Sequence, residues 1–87
     1  MDGVQIGTVT HFYNRICVAV IELTDTLQVG DSIHFLGGAT DFQQKVDSMQ
    51  IEHEQVEGAG NGEEIALKVD KRVRNGDKVL KFADKQE

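Results

Sequence analysis

Nine Lys and Arg against fifteen Asp and Glu in 87 residues give a net charge of −6, which argues against sequence-independent nucleic-acid binding, because neutralising phosphates takes clustered positive charge. The length fits one domain, and the single cysteine, Cys17, excludes an internal disulfide and suits a reducing, cytoplasmic setting. The longest apolar run, Ile16 to Ile21, is far short of the roughly 20 residues of a membrane helix, and MDGVQIG at the start lacks the basic and apolar regions of a secretory signal, so no membrane partner is expected.

Val4, Ile6, Thr8 and Thr10 alternate with Gln5, Gly7, Val9 and His11, predicting a first strand over 3–13. Tyr13-Asn14-Arg15 is polar enough to turn the chain. A second strand over 16–23 has apolar residues at both parities, so it is expected to be central and covered on both faces, with Cys17 buried in it. Thr24-Asp25-Thr26 breaks the run. Gly30-Asp31 then supplies a corner, since glycine accepts φ > 0 and aspartate bonds nearby amides. It feeds a third strand near 31–37 in which Ile33 and Phe35 alternate with Ser32 and His34.

A fourth strand is predicted over 42–54. Phe42 and Val46 share one parity and Met49 and Ile51 the other, so a β-bulge near Asp47-Ser48 would keep all of them inside and bend the sheet. Helix competes over 45–57 but lacks an apolar stripe at helical spacing. Gly58-Ala59-Gly60-Asn61-Gly62 reads as a flexible connection, and Glu63 to Val69 as a fifth strand with Ile65, Leu67 and Val69 inward. After the charged loop 70–75, Asn75-Gly76-Asp77 repeats the corner and opens a sixth strand over 77–82, with Leu80 and Phe82 on one face. Residues 83–87 form a polar tail, leaving a single domain, 1–87, with its core in 4–82. The expectation is all-β, a six-stranded closed barrel without free sheet edges.

Catalytic motifs do not assemble. The glycines of 58–62 are followed by no Lys-Ser/Thr and no helix, so they do not cradle a phosphate. His53-Glu54 starts a zinc-protease pattern, but Glu57 stands where its second histidine belongs. No catalytic residue, cofactor or metal is expected; His34 and His53 are the side chains a small-molecule or metal binder would use. Phe12, Phe35, Phe42 and Phe82 are assigned to the core, which leaves Tyr13 as the exposed ring. Charge is segregated: Asp47 to Glu64 holds six acids and no Lys or Arg, whereas Lys68 to Lys85 holds seven of the nine basic residues.

The ordered segments IGTV, VGDSI, KVDSMQIEHEQVEGAGNGEEIALKV and VRNGDKVLKF resemble domain II of the translational GTPases, the elongation factor Tu class. That resemblance implies a six-stranded Greek-key barrel that contacts ribosomal or transfer RNA. The phosphate loop of those GTPases is absent, so no GTP is bound by this chain alone. TVTHFYNRICVAVIELTDTLQVGDSI is also similar to barrels on the C-terminal side of U32-type peptidases. The expected function is a non-catalytic binding module. Lys68, Lys71, Arg72 and Arg74, with Tyr13 and Arg15, would contact RNA. The alternative is a protein-interaction module for a separate peptidase or GTPase subunit, with the acidic segment 47–64 and an uncovered barrel face forming its interface.

Overall fold

The structure, a computed structural model, describes residues 3–82. The polar tail 83–87 and the Phe82 side chain, assigned above to the surface and the core, lie outside the described residues. Among the described residues ten strands follow in order: β1 (Gly3–Tyr13), β2 (Val18–Leu23), β3 (Leu27–Gln28), β4 (Ser32–Leu36), β5 (Asp41–Lys45), β6 (Met49–Ile51), β7 (Glu54–Val56), β8 (Gly58–Ala59), β9 (Glu64–Lys68) and β10 (Lys78–Phe82). Eight pair into one antiparallel sheet, β5-β4-β10-β1-β2-β9-β6-β7, and β3 pairs with β8. The sheet curls into a half-barrel. The class is all-β as expected, but the closed six-stranded barrel is corrected to an open, curled eight-stranded sheet with two end strands.

The fourth predicted strand explains the difference. Instead of one bulged strand over 42–54, the chain breaks at 46–48, so β5 pairs with β4 while β6 pairs with β9 and β7. Val46 and Met49 are both buried, so the inferred change of parity is real. It is produced by leaving one edge of the sheet and joining near the other. β6 and β7 meet through Glu52 and His53, both at positive φ (52° and 70°), the geometry of a two-residue hairpin turn.

Bulges occur instead in β1. The register slips between Gln5 and Gly7 against β10 and between Val9 and His11 against β2. Each extra residue turns the strand over, so Ile6 and Val9 are both buried although their parities differ. Such slips also sharpen twist, and so curl the sheet around its core. That core gathers Ile6, Val9, Ile21, Leu23, Leu27, Ile33, Phe35, Met49, Ile65, Leu67 and Val79. Phe35 and Phe42 stack at 5.1 Å between centroids; burying such a side chain contributes about 1.5–3 kcal/mol. In β10 the buried residue is Val79, with Leu80 half-buried, opposite in parity to the inward face predicted from Leu80 and Phe82.

Three corners pin the strands, and all follow one plan. In each, Gly30, Gly62 or Gly76 sits at φ of 99°, 89° or 92°. The residue after it closes the turn: Asp31, Glu63 and Asp77 donate N–H to the carbonyls of Gln28, Gly60 and Arg74 (all 3.1 Å). In return their carboxylates accept the N–H of Gln28, Gly60 and Arg74 at 2.9 Å. Glycine at the third position of the turn fits a type II geometry, which requires positive φ there. Each corner also clasps one residue of another segment by two backbone bonds. Gly30 and Asp31 clasp Val46, Gly62 and Glu63 clasp Leu23, and Gly76 and Asp77 clasp Val9, all at 2.7–2.9 Å. The predicted corners at Gly30-Asp31 and Gly76-Asp77 are thus joined by a third, at Gly62-Glu63, in the stretch expected to be flexible.

Candidate interaction surface at the basic end

β2 starts later than expected because residues 14–17 turn, with Cys17 at φ 55°. Cys17 is exposed, and Ile16 is 60% exposed, which corrects the buried cysteine and the doubly covered strand. The turn sets a carbonyl where the next element needs it: Val69 N–H donates to Cys17 C=O at 2.9 Å. Lys68, the last residue of β9, pairs across from Val18. Consequently the 14–17 turn, which carries Arg15, lies beside the loop that leaves β9.

That loop is anchored from below. Val69 and Val73 are buried, leaving Lys68, Lys71, Arg72 and Arg74 exposed. Lys71 Nζ stands 5.9 Å from the centre of the Phe42 ring, within the range of a cation–π contact. Arg72 and Arg74, with Phe12, Asn14, Val73 and Asn75, line an open groove of about 490 Å³. Asp77 fixes the far end of the loop through the Arg74 amide. Among the described residues none of these cationic groups is paired with a carboxylate.

Five of the six expected site residues, Arg15, Lys68, Lys71, Arg72 and Arg74, therefore share one end of the sheet. Tyr13 does not join them. Consecutive strand residues face opposite ways, and with Phe12 lining the basic groove, Tyr13 lines a cleft on the other side. That cleft, about 550 Å³, also includes Val20, Ile51, Glu52, His53, Glu63 and Glu64. Tyr13 lies against His11, with ring centroids 4.3 Å apart. Sequence reasoning did not foresee this acidic cleft, because its walls come from β1, β2, β6 and β9; the run of acids in 47–64 was its one visible sign.

The histidines do not converge. His34 Nε2 meets Asp41 Oδ1 at 2.5 Å, whereas His53 stands at the β6–β7 hairpin tip. Among the described residues no three His, Cys, Asp or Glu side chains gather as metal ligands would. No helix there is long and apolar enough to cross a membrane.

No protein-family model matches the chain. It is 43% identical over 77 residues to the uncharacterized protease MJ0090 of Methanocaldococcus jannaschii, covering 87% of this chain and 19% of that protein. It is 31% identical over 86 residues to a collagenase of Porphyromonas gingivalis, covering 97% and 21%. The chain thus spans about a fifth of the length of the curated relatives it matches. Among solved structures, the C-terminal domain of a Geobacillus thermoleovorans protein assigned to the U32 peptidases superposes with a TM-score of 0.86. The match is 17% identical and covers 91% of this chain and 92% of that domain. A selenomethionine form of the same domain gives 0.84 at 16% identity, covering 87% and 96%. The fold is that of a U32 peptidase C-terminal domain. Of the two resemblances read from the sequence, these matches support the peptidase barrel and lend nothing to the translation factor.

Proposed function

We propose that this chain is a non-catalytic interaction domain working with a U32-type peptidase, in one polypeptide with it or on a separate subunit. The observation that carries this reading is where the likeness falls. It occupies about a fifth of each relative named as a protease or collagenase and nearly the whole of a separately folded C-terminal domain. Peptide-bond cleavage would belong to the remainder of such a protein, and this domain would hold a partner or substrate near it.

The basic end is the surface proposed for that contact. The 14–17 turn, the end of β9 and the loop after it present Arg15, Lys68, Lys71, Arg72 and Arg74 at one end of the sheet, beside a groove lined by Arg72, Arg74 and Phe12, which suits an acidic patch on the peptidase. Titrating the purified chain into the catalytic part of a U32-type peptidase should give saturable binding by calorimetry. The triple reversal Lys71→Glu, Arg72→Glu, Arg74→Glu should weaken it at least about tenfold, equivalent to about 1.4 kcal/mol, with an unchanged melting temperature. Absence of binding by the parent chain would overturn the reading.

The clustering of these five cations also supports a second reading, a contact with ribosomal or transfer RNA. In that case affinity for transfer RNA should fall steeply with added salt, and the peptidase should show no binding.

A further inference from the structure

We propose that β5 is a dimerisation edge, on which a second copy of this chain adds its own β5 in antiparallel orientation. β5 ends the sheet order, with no strand on its far side among the described residues. At the opposite edge, β7 has only three residues, and the chain leaving it is tied down where Glu57 C=O accepts Val29 N–H. β5 is the longer open edge.

The direction of its backbone groups follows from the β4–β5 hairpin. Gly37 and Thr40 exchange N–H···O bonds of 2.8 and 3.4 Å, so they form a hydrogen-bonded pair. Pairs alternate along an antiparallel ladder. The same character therefore recurs at Phe35–Phe42 and Ile33–Gln44, in the observed register. Val46 N–H donating to Asp31 C=O at 2.9 Å confirms that parity beyond the other end of β5. The N–H and C=O groups of Asp41, Gln43 and Lys45 consequently point away from β4, towards an added strand. β5 is also held extended in advance, because Phe42 stacks on Phe35 and the Gln44 amide is bonded to the chain at Lys68 and Asp70.

Charge selects the occupant. In an antiparallel self-pair centred on Gln43, Gln43 meets Gln43 of the second copy, and Asp41 of each copy meets Lys45 of the other. All are hydrogen-bonded positions, and both outer pairs join opposite charges, which stabilises facing strand residues. A parallel in-register pair would set Asp41 on Asp41 and Lys45 on Lys45. A slip of two residues would lose the Asp–Lys contacts. Charged edges usually deter pairing; in this one arrangement the same charges favour it. Twofold symmetry uses the single β5 of each copy, so association closes at two.

The test is sedimentation equilibrium of the chain in about 0.15 M salt, where the screening length is about 8 Å. The expected result is a concentration-dependent approach to twice the 9.6 kDa monomer mass. Asp41→Lys and Lys45→Asp should each weaken the dimer about tenfold, since one substitution sets like charges at both ends of the symmetric pair. The double swap Asp41→Lys, Lys45→Asp should restore it. Gln43→Pro removes an N–H that the β4 ladder does not use and should abolish the dimer. Thermal melting checks the fold of each variant. Lys45→Asp alters a side chain with no hydrogen bond or ion pair among the described residues, so it decides the question if the Asp41 variants, which lose the His34 contact, melt early. A chain monomeric up to about 1 mM, including one that takes another protein's strand instead, would overturn the proposal. So would a dimer indifferent to Lys45→Asp. The proposal does not depend on the peptidase reading.

Discussion

Gln44 ties β5 to the segment around Asp70 through both ends of its side-chain amide. Its Oε1 accepts the Asp70 N–H at 2.8 Å and its Nε2 donates to the Lys68 carbonyl at 3.0 Å. β5 and β9 are far apart in the ladder, and this one side-chain amide joins the edge to the chain leaving β9 where the sheet stays open. Both bonds are solvent-accessible, so water partly replaces them when the side chain is lost. Gln44→Ala should therefore destabilise the domain by about 1 kcal/mol, seen as a fall of roughly 4–8 °C in melting temperature for this size of chain. Gln44→Glu keeps the acceptor but loses the donor, and should fall between parent and Ala. A melting temperature unchanged by Gln44→Ala would show that the amide contributes nothing to stability.

The repeated corners predict a matched set of effects. A Cβ at Gly30, Gly62 or Gly76 would meet no atom within 4 Å, so alanine costs only the backbone strain of a positive φ, about 1–2 kcal/mol. Because the three corners clasp different residues, Val46, Leu23 and Val9, the penalties should add within about 0.5 kcal/mol. Gly38→Ala is the control, since its Cβ also meets nothing and its φ is not in the left-handed region; it should be close to neutral. Urea unfolding of the single and triple variants measures this. Unequal penalties at the three corners would mean they are not equivalent.

The same corners show what was legible in the chain and why the rest was not. Gly30-Asp31 and Gly76-Asp77 could be read because glycine beside aspartate has a local meaning that tertiary contacts did not alter. The third corner was missed because Glu63 takes the aspartate's place and the surrounding glycines suggested slack. The β6–β7 hairpin was missed for a similar reason: Glu52-His53 occupies positions where Asn-Gly would have announced the turn. Bulges at Ile6 and Thr10 leave no trace in a β-branched run, since only the partner strands reveal the extra residue. Openness was equally hidden, because it depends on β6 leaving β5 to pair with β9. Of the basic end, the run Lys68 to Arg74 was visible as sequence. The arrival of Arg15 rests on a long-range bond between Val69 and Cys17, and the departure of Tyr13 on strand parity.

Asp77 is the corner carboxylate with most at stake. It is 5% exposed, its Oδ2 accepts the Arg74 N–H at 2.9 Å, and Gly37 packs so closely that a Cβ there would overlap Asp77 Oδ1. Asp77→Ala should cost about 1–3 kcal/mol, the range for leaving a buried donor unsatisfied. Asp77→Asn keeps an acceptor and should cost less. Asp31, more exposed, should tolerate Ala better. Gly37→Ala should destabilise the domain by about 1–3 kcal/mol through overpacking. Denaturant midpoints give the order, and Asp31→Ala matching Asp77→Ala would contradict the role assigned to burial.

The faces of β1 separate two sets of residues that the sequence grouped together. Phe12 lines the basic groove with Arg72 and Arg74, while Tyr13 lines the acidic cleft with Glu52, Glu63 and Glu64. If the basic end binds the peptidase, Arg72→Ala with Arg74→Ala should weaken binding about tenfold. Tyr13→Ala should leave it within about twofold, because a side chain on the opposite face touches neither the groove nor its cations. Raising salt should reduce the parent's affinity more than that of the double variant, since exposed charges are screened within about 8 Å at 0.15 M. Calorimetry at two salt concentrations reads all three effects, with melting curves confirming that each variant is folded. A large loss on Tyr13→Ala with no loss on the arginine pair would move the interface to the acidic cleft and make its partner a basic surface.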